Sequence, residues 1–185
     1  MQDEKEIIRQ IQSWNKDLFI NLYETYLQKI YEFIYFKVWT KNQAEDLTSE
    51  TFLKAFKNIS SYKIQEWKKF SSWLFTIANN IVIDYFRSHK PEYPLDELSI
   101  KYDTPDFVKN AEDKHKITEI LKFLDELGAE KKEIFIMRIW NNIPYDEISQ
   151  ITGKTTNNCK QIFARTLKKI YEKFGVAAIL IFMIR

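Results

Sequence analysis

The chain has 185 residues, 45% of them apolar and 29% charged, a formal net charge of +2, three glycines, four prolines and one cysteine. So few turn formers disfavour a many-turned β fold and favour long helices with short joins. A single cysteine (Cys159) excludes an internal disulfide, and with only two distant histidines (His89 and His115) neither a zinc site nor any other metal or cofactor is expected; a reducing compartment, the cytoplasm, is.

Residues 1–13 are too charged for a secretory signal. Residues 17–39 predict a long helix, because Leu18, Leu22, Tyr26, Ile30 and Phe33 recur at intervals of three or four. Thr40, Lys41 and Asn42 interrupt the pattern, and Asn42 is expected to cap the next helix, about 43–58. That helix places Leu47, Thr51 and Ala55 beside a second stripe of Phe52 and Phe56, with Glu45, Asp46, Ser49 and Glu50 facing outward. Residues 60–69 read as a loop. A helix from about Phe70 to His89 follows, and Pro91 and Pro94 stop it. Residues 91–110 hold scattered acids, prolines and no periodicity, which reads as a linker. A helix resumes near Ala111 and ends at Gly128, and another covers about 129–141. Pro144 suits the first turn of a short helix, Gly153 allows a tight turn, and Thr155 caps a final helix ending at Gly175. Short helix, glycine turn and longer basic helix form the layout of a helix-turn-helix. The expected organisation is an all-α chain: a domain over 1–90, a linker over 91–110, a helix-turn-helix domain over 111–175 and an apolar tail over 176–185. Nine apolar residues, 176–184, are too few to span a bilayer; folding back as a helix on the second domain is the expectation, against a dimer or inhibitor contact.

Charge is patterned beneath the small net value. Residues 52–90 carry seven basic and two acidic groups, and residues 154–173 carry six and one, each +5; residues 91–113 carry two and seven, −5. Two basic blocks in separate helical units point to a polyanion such as nucleic acid, with a solvated surface as the alternative. No phosphate-loop, dinucleotide, zinc-protease or nucleophile-elbow pattern occurs, so no catalytic residue is assigned.

Two motifs carry a resemblance. AEDLTSETFLKAFKNI (Ala44–Ile59), followed by FSSWLFTIANNIVIDYFR, resembles region 2 of bacterial sigma factors. YDEISQITGKTTNNCKQIFARTLKKI (Tyr145–Ile170) resembles their region 4 helix-turn-helix. With only a short linker between them, the chain is similar to the compact extracytoplasmic-function branch of the sigma-70 family, over about residues 16–174. The resemblance implies a non-catalytic specificity subunit with two kinds of partner: core RNA polymerase, through its β′ clamp helices and β flap, and promoter DNA. It also implies an anti-sigma factor, membrane-bound or not, that clamps both domains.

Site residues follow motif by motif. Asp46, Ser49 and Glu50 are expected on the polymerase side, although many relatives have glutamine where Ser49 stands. The pattern WLxxIAxNxxIDYxR is matched at Trp73, Leu74, Ile77, Ala78, Asn80, Ile83, Asp84, Tyr85 and Arg87, with Leu74, Ala78, Ile81 and Tyr85 inward. Asn80 and Arg87 are expected on −10 DNA, and Asp84 in an ion pair with Arg87. Relatives often carry basic residues where Thr76 and Asn79 stand, so phosphate contact from this helix is expected either to be weaker or to shift to Lys68, Lys69 and Lys90. In the loop, Tyr62 and Trp67 are candidates to stack on an unpaired base, with Lys63, Lys68 and Lys69 on phosphates; for Tyr62, packing on the domain is the favoured alternative. The loop is about two residues longer than is common. Cys159, Phe163, Thr166 and Ile170 are expected inside the last helix. Thr156, Asn157, Asn158, Lys160 and Gln161 face the −35 bases, and Arg165, Lys168 and Lys169 face phosphates. Ile162 and Leu167 replace the usual arginines. The rival readings are a helix-turn-helix regulator that works without polymerase and a helical partner-binding protein with no DNA role.

Overall fold

A computed structural model describes residues 3–38, 40–66, 69–88 and 111–176, without side chains for 111–114. Every regular element among the described residues is helical, and the helices fall into two compact units. The first holds α1 (Glu4–Ser13), α2 (Phe19–Val38), α3 (Lys41–Asn58) and α4 (Phe70–Ser88). The second holds α5 (Ala111–Leu127), α6 (Ala129–Ile139), α7 (Tyr145–Thr152) and α8 (Thr156–Phe174). Trp39, Trp67, Lys68, residues 89–110, with the expected linker and its flanking His89 and Lys90, and tail residues 177–185 lie outside the described residues.

In the first unit α2 is the central helix. Its Ile30, Phe33, Ile34 and Phe36 are fully buried, with Leu22 and Tyr26 almost so. It packs against both α3 and α4. Phe33 meets Phe75 of α4 edge-on at 5.1 Å, a favoured aromatic geometry. α1 was not expected. Asp3 caps it, accepting from Lys5 N at 3.3 Å, and Ile8 and Ile11 seal it to the unit at 1% exposure. α3 starts two residues earlier than expected. Thr40, with extended backbone, is its cap residue, and Asn42 lies inside the first turn. Of the two expected stripes, Leu47, Thr51, Phe52 and Ala55 are buried, whereas Phe56 is 37% exposed and touches Phe19 edge-on at 5.1 Å.

In the second unit Ile120, Leu121, Leu124, Ile134, Phe135, Ile136, Ile148 and Ile170 form the core. Gly128 separates α5 from α6 at φ 102°, a value that side-chain-bearing residues rarely adopt. Gly153 takes the left-handed conformation (φ 71°) that turns α7 into α8. Pro144 stands one position before α7, as its cap, rather than within the first turn.

Candidate functional site

α4 carries two faces. Leu74, Ala78 and Ile81 point inward as their spacing predicts, joined by Phe70, Phe75 and Val82; Tyr85 is half-buried. Asn80, Ile83, Asp84, Phe86 and Arg87 are exposed. Asp84 and Arg87 form the i,i+3 pair at 3.4 Å, with side chains 61% and 75% exposed. Such a pair contributes a few tenths of a kcal/mol, so the guanidinium can exchange its carboxylate for a phosphate at little cost. Trp73 is half-buried at the border of the two faces.

The two positions without basic residues have found other partners. The Thr76 hydroxyl donates back to Ser72 O at 2.7 Å. Asn79 Oδ1 accepts from the ammonium of Lys37 at 2.5 Å, while the lysine lies over the Phe33 ring at 4.4 Å. α2 thus brings a cation beside α4. No spacing within one helix reveals Lys37, which is 42 residues away from Asn79.

A single 3-10 turn, Ile59–Ser61, leads into the loop. Tyr62 takes the packing alternative. It is 8% exposed, its ring edge-on to Phe70 at 5.6 Å and tilted on Trp73 at 4.9 Å. Burial raises its hydroxyl pKa above the usual tyrosine value, and the negative charge of Glu4 raises it further. Lys63 and Lys69 are exposed. Behind the loop, Gln12 Nε2 of α1 donates to Ile59 O at 2.8 Å and to Tyr62 O at 2.7 Å. The Tyr26 hydroxyl donates to Glu4 at the other end of α1.

On α3, Asp46, Ser49 and Glu50 are exposed on one side, and half-exposed Leu53 continues it. The Ser49 hydroxyl turns back onto Glu45 O at 2.9 Å. Neither Asp46 nor Glu50 has an ion-pair partner among the described residues. Two like charges four residues apart repel each other modestly on an isolated helix.

The helix-turn-helix is built as its layout predicts. Thr155, in extended backbone, accepts from Asn158 N at 3.2 Å and so starts α8 at a fixed residue. Cys159, Thr166 and Ile170 are fully buried, and Phe163 stacks on Phe135 at 5.8 Å. Asn157, Asn158, Lys160, Gln161, Arg165, Lys168 and Lys169 are exposed; Thr156, Ile162 and Leu167 are half-buried. The positive end of the helix dipole and the first exposed cation therefore lie on the same end of α8. Lys160 and Arg138 both lie near the Tyr145 ring, at 5.9 and 5.1 Å. Lys168 pairs with Glu172 at 3.8 Å. Lys173 is engaged within the unit, with Glu126 at 3.7 Å and over Phe123 at 4.1 Å.

Two helical units, the second a helix-turn-helix whose second helix opens on exposed amides and cations, form an arrangement that recurs among DNA-binding proteins. Residues 22–92 match Sigma-70 region 2, and residues 117–170 match Sigma-70, region 4. The ECF RNA polymerase sigma factor SigM of Bacillus subtilis (strain 168) is 30% identical over 156 residues, covering 82% of this chain and 94% of SigM. The ECF RNA polymerase sigma factor BldN of Streptomyces coelicolor (strain ATCC BAA-471 / A3(2) / M145) is 28% identical over 171 residues, covering 89% of this chain; the chain spans 63% of the BldN length. Among solved structures, the sigma factor RpoE in complex with the anti-sigma factor NepR from Bartonella quintana shares the fold, with a TM-score of 0.66 at 20% identity over 85% of this chain and 97% of that one. The chain belongs to the extracytoplasmic-function branch of the sigma-70 family of RNA polymerase sigma factors.

Proposed function

We propose that this chain is an alternative sigma factor that binds core RNA polymerase, recognises −35 and −10 promoter elements and starts DNA-templated transcription. One observation carries the reading. A single chain joins a region 2 unit with an exposed acidic face, unpaired among the described residues, to a region 4 unit with a cationic second helix. A repressor that works alone has no need of the acidic face.

In this proposal Asp46, Ser49 and Glu50 meet basic residues of the β′ clamp helices, and the second unit meets the β flap. Asn80 and Arg87 hold −10 DNA, with Lys63, Lys69 and Lys37 supplying cations to its phosphates. Trp67 is the first aromatic candidate for an unpaired base, with the packed Tyr62 as a second. Asn157, Asn158, Lys160 and Gln161 read −35 base edges, with Thr156 beside them, because amides pair bidentately with adenine and lysine reaches guanine. Arg165 and Lys168 hold backbone phosphates. The chain itself does no covalent chemistry; binding energy holds the strands apart while the polymerase joins nucleotides. Work on chromosomal DNA fits the cytoplasm, and no described helix is long and apolar enough to cross a membrane. An anti-sigma factor is the proposed regulator, as RpoE of Bartonella quintana has in NepR.

Run-off transcription with purified core polymerase over a genomic promoter library tests the reading. A discrete, promoter-dependent product is the expected result. Folded protein that yields none refutes it, and specific duplex binding without core polymerase favours the regulator instead. A pull-down from native cells tests for the anti-sigma factor.

A further inference from the structure

The loop between α3 and α4 lacks regular structure over residues 62–66, yet it must hold cations in register if it grips DNA. Its first residue, Tyr62, donates its backbone N–H to Ile59 O at 3.1 Å. The Tyr62 carbonyl, the last before Lys63, is bonded from outside the loop by Gln12. A carboxamide NH₂ has two hydrogens, and Gln12 uses them on the two carbonyls that begin and end this turn, Ile59 and Tyr62. The same helix bears on the far end of the loop through one residue of α2. Glu4 accepts the Tyr26 hydroxyl, and the Tyr26 ring packs at 5.8 Å on Phe70, the first residue of α4. Between these two ties Ile8 and Ile11 are buried. α1 therefore holds the first end of the loop directly and bears on the other end through Tyr26 of α2, while lying wholly outside residues 22–92, the stretch that matches region 2.

We propose that α1 is a strap that sets the shape of the −10 loop, and that Gln12 is the positioning residue through which it acts. The proposal rests on the promoter reading of that loop. Gln12 touches no DNA. It fixes the carbonyl from which Lys63 departs, so that residues 62–66 are ordered before DNA arrives and the entropy of ordering is not charged against opening.

The test uses the full chain with Gln12→Glu, which keeps the shape but offers no donor to either carbonyl. Gln12→Met, apolar and of similar length, replaces it if the first variant fails to fold. A loop variant, Lys63→Ala with Lys69→Ala, is the control. Hydrogen exchange at the Tyr62 amide, which is bonded to Ile59 O, affinity for core polymerase, and promoter opening by 2-aminopurine fluorescence at −10 are measured for each. The Gln12 variant is expected to exchange that amide about tenfold faster and to open promoters about tenfold less, the scale of one or two lost hydrogen bonds. Its core affinity should stay within about twofold, since α3 is unchanged. Unchanged exchange overturns the proposal. So does normal opening by the Gln12 variant when the loop variant is impaired. If the loop variant itself opens promoters normally, the promoter reading of the loop fails instead, and exchange alone decides whether α1 straps it.

Discussion

Reversing the acidic face of α3 separates binding from folding. Asp46 and Glu50 lie four residues apart, exposed and without ion-pair partners among the described residues. Their mutual repulsion on an isolated helix is a few tenths of a kcal/mol, and lysine has better helix propensity than aspartate. The double substitution Asp46→Lys, Glu50→Lys should therefore change stability by no more than about 0.5 kcal/mol, the usual scale for surface sites. The binding cost is of another order. Truncating one partner of a hydrogen-bonded interfacial charge pair costs about 2–5 kcal/mol, and here two such pairs become repulsive. Taking the lower figure for each gives about 4 kcal/mol, or roughly a thousandfold in Kd. Fluorescence anisotropy of labelled protein titrated with core polymerase at fixed salt reads the affinity, and circular dichroism checks the fold. A folded double variant that binds core within about threefold of the parent would refute the assignment of α3.

The cation beside α4 makes a narrower claim. Lys37→Ala should weaken −10 binding across sequences and lower the salt slope by about 0.7–0.9, the loss of one phosphate contact; an unchanged slope removes Lys37 from the interface. Thr155→Ala should destabilise the second unit by about 1 kcal/mol in thermal melts, whereas Thr155→Ser retains the cap. Tyr62 is kept neutral by burial and by Glu4, so its folded pKa lies above its unfolded one. The stability it contributes is whole below about pH 10 and declines as pH rises through and past that value; alkaline melts should show the first unit weakening there, and Tyr62→Phe should flatten the decline.

Much of this architecture was legible because it is periodic. α2, α4 and α8 show their inward stripes within single turns of sequence, and Gly153 and Thr155 mark the turn and cap by chemistry that only a few residues supply. α1 also left signals: Asp3, then Ile7, Ile8 and Ile11 at helical spacing. They were obscured by charge in a ten-residue segment too short to stand alone. Asn42 looked like the better cap by side chain, but the backbone of Thr40 turns first. The roles of Lys37 and Gln12 were not legible. A lysine on a helix end and a glutamine on a short helix are ordinary residues. Their meaning comes from Asn79, Ile59 and Tyr62, brought near by the packing of four helices rather than by any local pattern.

The contacts of α1 also set an order of events. Gln12 meets carbonyls 47 and 50 residues further on, and Glu4 meets a hydroxyl 22 residues on. During synthesis Glu4 can meet Tyr26 early, but the Gln12 contacts cannot form until Tyr62 has left the ribosome, and closing so long a loop carries an entropic cost that the short α2–α3 connection avoids. The earliest helix of the first unit to be made is thus among the last to complete its docking. Until it does, Ile8 and Ile11 are exposed, and a nascent chain paused before residue 62 presents them to whatever apolar surface is near.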